Sequence, residues 1–392
     1  MPQTLTVLAP IRPGHEETLR HILRPIGDDI RGTKSTAAAG TPRIEFTRSK
    51  RIHFARFGIL PDPDRASEAA RLLYSANHDG TLDEHLAELV AITSDMNAIW
   101  RHCEGYAGVA QFGAFIRAHT LEPNAYYISF RGETAASICQ AVARQRQQES
   151  PRESSRAEEG IVTALTRRIP VVGDIFRAIK RYGLGNVFRG SQLIVASLGR
   201  YRRFRLWNWL TGNRMPRRRS LYSSVALSNS AWGSAGSKDP AYKDAGSKDP
   251  AYREDVIAQN QLTLLTTIQP GRADFVRAVM AAIDTYARRL APPGSLIGVS
   301  TIHFVKWTVL DEGRRLLMIS DYDGSWESYI DEFAEMILSG LDAIWTTAEG
   351  YPPDGARDVP AFKRFLRNHQ VPSEVFFSAY PDATVLNIGN AL

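Results

Sequence analysis

A chain of 392 residues, 43% hydrophobic and 23% charged, is long enough for two domains with cores of their own and is ordinary in composition for a globular protein. Its two cysteines, Cys103 and Cys139, exclude a disulfide framework and a cysteine-built zinc site, and a reducing compartment follows. No stretch approaches the roughly 20 apolar residues of a membrane-spanning helix, and MPQTLTVLAP lacks the pattern of a secretory leader. A cytoplasmic location is expected, with peripheral membrane contact left open.

In chain order, Leu5 and Val7 alternate in a run that stops at Pro13-Gly14, which predicts a strand entering a turn and then a helical segment. Apolar runs around His53 and Leu72 predict two more strands. Leu82, Leu86 and Leu89 share one face of a helix that begins after Asp79-Gly80. Tyr126, Tyr127 and Ile128 make a last strand. The order returns near the C-terminus: a strand at Leu262 and Leu264, a helix with Phe275, Val279 and Ile283 on one face, and strands around His303 and Leu316. A helix with Trp326, Ile330 and Phe333 and a strand of Val375, Phe376 and Phe377 complete it.

The return is a sequence repeat. LTVLAPIRPG at Leu5 matches LTLLTTIQPG at Leu262, and RIHFARFGIL at Arg51 matches TIHFVKWTVL at Thr301. RLLYSANHDGT at Arg71 matches RLLMISDYDGS at Arg315. AIWRHCEGY at Ala98 matches AIWTTAEGY at Ala343, and FIRAHTLEPNAYYISF at Phe115 matches FLRNHQVPSEVFFSAY at Phe365. Five matches in one order mark a duplication. The reading is α+β: residues 1–143 and 255–392 form two ferredoxin-like βαββαβ modules, separated by an insert over 144–254. One such module leaves a sheet face to cover, and two can cover each other.

At this level the chain resembles the dimeric α+β barrel superfamily, fused into one polypeptide. That group includes chlorite dismutases, dye-decolourising peroxidases and antibiotic-biosynthesis monooxygenases. The resemblance implies an intrachain barrel, an apolar or aromatic ligand between the modules, and peroxidase-like or monooxygenase-like oxidation, with haem as the cofactor it brings into question. The alternative is a non-catalytic binding or scaffold protein that keeps the fold.

The net charge of +6 is unevenly held. Between Arg146 and Arg219 there are 17 Lys/Arg and 5 Asp/Glu, an excess of 12 that leaves −6 for the rest of the chain. After a polar link from Arg144, IPVVGDIFRAIKRYG predicts an amphipathic helix with Arg177, Lys180 and Arg181 on its polar side. GRYRRFRLWNWL then sets Arg202 and Arg203 beside Trp207 and Trp209, and a decapeptide starting at Ala235 repeats at Ala245. Three readings stand for this segment: an anionic membrane surface, helices packed on the modules with solvated arginines, and, with less support, nucleic acid.

Among single residues, His53 and His303 occupy matched places. By strand alternation His53 shares a face with Ala55, Phe57 and Ile59, and His303 with Val305, Trp307 and Val309. They are candidates for acid–base or ligand roles in a cavity, against the ordinary reading of buried, satisfied histidines. The resemblance points to Asp79, in an Asp-Gly step similar to one that stands over haem in dye-decolourising peroxidases. The opening of that signature is absent at Ser75-Ala76-Asn77, and a turn followed by a Thr81/Glu84 capping box accounts for the same residues. It also points to His369, beside Arg367, as a proximal haem ligand, against a histidine bonded to helix carbonyls. No P-loop, dinucleotide glycine fingerprint, HExxH or nucleophile elbow is present.

Overall fold

The computed structural model describes residues 2–32, 42–60, 70–149 and 258–392. The expectations for the basic insert, including Arg177, Lys180, Arg181, Arg202, Arg203, Trp207 and Trp209, lie outside the described residues. Eight strands are described: β1 (Pro2–Pro10), β2 (Ile52–Leu60), β3 (Arg71–Asp79), β4 (Ala125–Ile128), β5 (Gln259–Thr267), β6 (Ile302–Leu310), β7 (Arg315–Asp323) and β8 (Ser373–Ser378). The α-helices are α1 (Glu16–Ile30), α2 (Leu82–Ile92), α3 (Met96–Trp100), α4 (Phe112–Ala118) and α5 (Ala135–Glu149) in the first copy. The second has α6 (Ala273–Arg289), α7 (Trp326–Met336), α8 (Leu338–Trp345), α9 (Val359–His369) and α10 (Val385–Ala391). Helix α5 runs past the boundary expected at residue 143. Among the described residues no helix is long and apolar enough to cross a membrane.

The strands form two antiparallel four-stranded sheets in a mixed α+β architecture, with orders β1-β3-β2-β8 and β4-β6-β7-β5. The first three strands of each copy pair as expected. The fourth does not stay at home: β8 pairs with β2, setting Ala55 opposite Phe377, and β4 pairs with β6, setting Tyr127 opposite Val305. Neither copy is therefore a self-contained βαββαβ unit, which corrects the modular expectation. The sheet edges are also tied. On its way to β4 the chain meets β1, where Leu121 N–H donates to Thr6 O (2.8 Å). On its way to β8 it meets β5, where Val371 N–H donates to Thr263 O (2.8 Å).

Each helical layer holds the strand it receives. Helix α1 lies on β8 so closely that a Cβ at Gly27 would fall 2.1 Å from Glu374 O, and Arg20 and Arg24 both bond the buried Glu374 carboxylate. In the matched place on α6, Asp284 Oδ1 accepts from Tyr126 N–H of β4 (3.1 Å). The outer face of the first sheet buries Val7, Ala55, Phe57 and Tyr74 under Leu19, Leu23, Leu89 and Trp100. That of the second buries Leu264, Val305, Trp307 and Met318 under Met280, Ile330, Phe333 and Trp345. Burial on both faces explains why β2 and β6 read as near-continuous apolar runs.

The inner faces meet in three layers. At one end Leu60, Leu73, Leu310 and Leu317 pack together. At the other lie Phe54, Tyr126, Phe304 and Tyr380, against Ile138 of α5 and Ile388 of α10. Between these layers is a polar band centred on Arg56, Asn77, Lys306 and Asp321.

Candidate functional site

His53 and His303 are not on the faces that alternation assigns them. The pairing register of β2 on β3 shifts between Ile52 and Phe54, and that of β6 on β7 shifts between Ile302 and Phe304. One extra residue in the strand re-aims its side chain, so each histidine turns from the helix-covered face to the inter-sheet face. His53 lies 5.4 Å from Phe304 and His303 lies 5.3 Å from Phe54, measured between ring centroids.

Each histidine meets the aspartate that ends the next strand. His53 Nε2–H donates to Asp79 Oδ1 (3.2 Å), and His53 Nδ1 is hydrogen-bonded to Tyr380 Oη (2.9 Å). His303 Nε2–H donates to Asp323 Oδ1 (2.7 Å). The second carboxylate oxygen is used alike in both copies: Ala135 N–H, in the first turn of α5, donates to Asp79 Oδ2 (2.8 Å), and Val385 N–H, in the first turn of α10, donates to Asp323 Oδ2 (2.7 Å). A helix N-terminus has unpaired N–H groups, and an anionic side chain is favoured there. Burial pushes the Asp79 carboxyl upward, but the bonds from His53 and Ala135 outweigh it and leave it below the usual range. Gly80 and Gly324, at φ of 80° and 78°, turn the chain after each aspartate, and Thr81 and Glu84 form the full capping box of α2.

The polar band follows the same two-fold plan. Arg56 Nη1–H donates to Leu262 O (3.1 Å), Gln261 Oε1 (3.0 Å) and Thr263 Oγ1 (3.1 Å), and Nη2–H bonds Asp321 and Ser320 O. Its counterpart Lys306 donates from Nζ to Leu5 O (2.8 Å) and Thr4 Oγ1 (2.6 Å). Asp321 has Asn77 as its counterpart, and Asn77 Nδ2–H donates to Asp321 Oδ2 (3.0 Å). Burial pushes Lys306 well below the ordinary ammonium range, and the neighbouring Arg56 adds to that. Burial also raises Asp321 and lowers Arg56, their mutual attraction offsetting part of it. These groups are bonded to one another and to the facing strands across the inter-sheet space.

A second set of histidines went unremarked in the sequence. His78 and His85 stack at 4.2 Å, and His85 Nε2 is 3.0 Å from Tyr74 Oη. The matched residues of the second copy, Tyr322 and Tyr329, stack at 3.9 Å. Desolvation holds His78 down at about 4 and His85 well below its usual value.

His369 behaves as a helix-terminal histidine. Its Nδ1–H donates to Phe365 O (2.7 Å), as His119 Nδ1–H does to Phe115 O (2.8 Å). Arg367 stacks over Trp326 at 3.6 Å and bonds Glu327 (2.9 Å). Asp79 has both oxygens engaged, and the described cavities measure about 30 and about 70 Å³, with none of His53, His303, Asp79 or His369 in their walls. Pockets for drug-sized ligands span roughly 300–1,000 Å³. Among the described residues no group of three or more His, Cys, Asp or Glu is placed to hold a metal ion.

No family model, curated protein or solved structure matches this chain.

Proposed function

We propose that this chain is a non-catalytic scaffold: an intrachain α+β barrel, built from two ferredoxin-like halves that exchange a strand, which carries its basic insert to an anionic membrane surface. The observation that carries the reading is the bonding of the buried polar groups between the sheets to one another. The residues that sequence reasoning offers for chemistry are engaged in bonds: within each copy His53 and His303 bond Asp79 and Asp323, which in turn hold the first turns of α5 and α10, and His53 also bonds Tyr380 of the other copy. An oxidoreductase needs a reaction space against such groups, and the bonded interior leaves that reading with less support.

The insert departs after α5 and returns just before β5, and the described residues at its two ends reach one turn. Arg146 Nη2–H donates to Asp382 O (3.3 Å), and Gln259 Nε2–H donates to Tyr380 O (3.0 Å). Its excess of 12 positive charges and its interleaved tryptophans suit anionic headgroups and the lipid interface. Co-sedimentation of the full chain with anionic and neutral vesicles, beside a variant lacking residues 161–219, tests the reading. Binding is expected to favour anionic vesicles, to weaken with salt as the Debye length shrinks from roughly 10 Å, and to require the deleted segment. Equal sedimentation of the two proteins overturns it. So does preferential, salt-sensitive binding to single-stranded nucleic acid.

A further inference from the structure

The short backbone bridges outside the strands recur in matched places. Val7 with Thr120 corresponds to Leu264 with Gln370, and Ile11 with Cys103 corresponds to Ile268 with Ala348. The bridge of Ile44 with Thr93 has no counterpart among the described residues. There Glu45 N–H donates to Ile92 O (2.8 Å) and Ser94 N–H donates to Arg43 O (2.9 Å), which lays this segment along the end of α2. Its side chains alternate: Pro42, Ile44 and Phe46 are buried, and Arg43 and Glu45 are exposed.

The second copy has a shorter connection in this place. Residues 31–51 join α1 to β2, whereas residues 290–301 join α6 to β6. The residue matched to Thr93 is Ile337, half-buried just past the end of α7. It borders a void of about 70 Å³, which Ile283, Ile297, Phe333 and Leu341 also wall. Ile283, Ile297 and Gly340 are half-buried as well, and the void meets the surface there as a groove. At under half of the roughly 150 Å³ cavity that holds benzene, it takes the end of one branched side chain.

Position, composition and charge point to the insert as its cover. Arg146 and Gln259, at the two ends of the insert, bond the turn at Tyr380 and Asp382. That turn leads into Val385, and a Cβ at Gly294, three residues before Ile297, would lie 3.5 Å from Val385 Cγ1. Within residues 150–257 one run has three consecutive Leu, Ile or Val residues: Leu193-Ile194-Val195, in an uncharged stretch between Arg189 and Arg200. Branched aliphatic residues suit an extended, half-buried segment. Glu335, exposed in the last turn of α7, offers a flanking arginine the opposite charge.

We infer that Leu193-Ile194-Val195 docks in this groove, meeting Ile337 as Ile44 meets Thr93, with one branched side chain in the void. Docking holds the arginines and tryptophans of residues 200–209 close to the second copy. The contact goes beyond the scaffold reading and is measured without lipid, so it can fail while vesicle binding stands.

Hydrogen exchange of the unaltered full chain, read by mass spectrometry, tests the inference. Corrected for intrinsic rates, amides at 193–196 should exchange about tenfold more slowly than those at 223–228, another uncharged stretch of the insert. Ile337→Asp should abolish the difference. Ile337→Thr, which installs the first copy's residue and should spare the fold, is expected to weaken it. Cysteine pairing then locates the contact, in a chain carrying Cys103→Ala and Cys139→Ala. Ile337→Cys should form a disulfide within the chain about tenfold faster with Ile194→Cys than with Val225→Cys. Equal exchange in the two stretches, protection that survives Ile337→Asp, or equal pairing rates overturns the inference. Disulfides formed between chains would make the occupant a second copy, and overturn it too.

Discussion

Arg56 and Lys306 stand at the same place in the two copies, and each reaches across to the first strand of the other. Arg56 bonds Leu262 O and Lys306 bonds Leu5 O, which are themselves matched residues. The band is asymmetric in its acids, because Asp321 has the amide Asn77 as its counterpart. Asp321 is thus the carboxylate that Arg56 bonds. Replacing Asp321 with Asn should leave a buried guanidinium without its counterion and cost about 3–5 kcal/mol in urea unfolding. Adding Arg56→Met to that variant should recover part of the loss. A loss below about 1 kcal/mol for Asp321→Asn would mean that the interior is wetter than the geometry describes.

The His78–His85 stack gives the first copy an acid-sensitive pair whose place in the second is taken by Tyr322 and Tyr329. Burial lowers both imidazoles in the folded state, so between the ordinary value of 6.5 and the His78 value of about 4 the unfolded chain binds protons that the folded chain refuses. Stability should be level above pH 6.5 and fall as the pH drops toward 4, with His78 alone contributing roughly 3 kcal/mol. The groups facing His78 are His85, Asp79, His53 and Lys306. Asp79 acts in a lower window: its depressed value contributes stability that is lost only as the pH falls through the folded-state value, below the usual 3.8. His78→Tyr with His85→Tyr, the arrangement of the second copy, should make the slope between pH 6.5 and 4 shallower in a denaturation series, leaving the smaller part that His102 and His369, also lowered by burial, contribute. An unchanged slope after the double change would place the sensitivity elsewhere.

Strand exchange predicts how the chain behaves when cut. Cleavage at a protease site introduced within residues 161–219 should leave the two pieces co-eluting with an unchanged circular dichroism spectrum. Each piece supplies one strand of the other's sheet. Residues 1–149 produced alone should give no folded monomer, and mixing with residues 258–392 should restore the native spectrum. A stable monomer from either piece would show that a copy completes its own sheet.

The duplication was legible because it is written in identities and spacing, from LTVLAPIRPG to the His119 and His369 segments. The exchange was not legible. β4 and β8 are both short apolar strands, and β2 offers either one the same kind of edge. The bulges at His53 and His303 were invisible for a related reason: an extra residue leaves the apolar pattern intact and shows only in the partner's register. The polar band did leave a signal that went unused. A cation stands three residues after the histidine in both copies, in His53-Phe54-Ala55-Arg56 and in His303-Phe304-Val305-Lys306. A repeated charge inside a strand buried on both faces calls for a partner across the sheets. The capping reading of Thr81 and Glu84 was legible because it is local in sequence.

Urea unfolding of Asp79→Ala beside Asp323→Ala tests most directly whether the paired histidines and aspartates hold the fold together. Each aspartate accepts one histidine and one helix N–H in a matched setting. Each substitution should therefore cost roughly 2–4 kcal/mol, with similar losses in the two variants and unchanged sedimentation on anionic vesicles. Stability retained in both variants, with vesicle binding lost, would contradict the account and return these residues to a functional role.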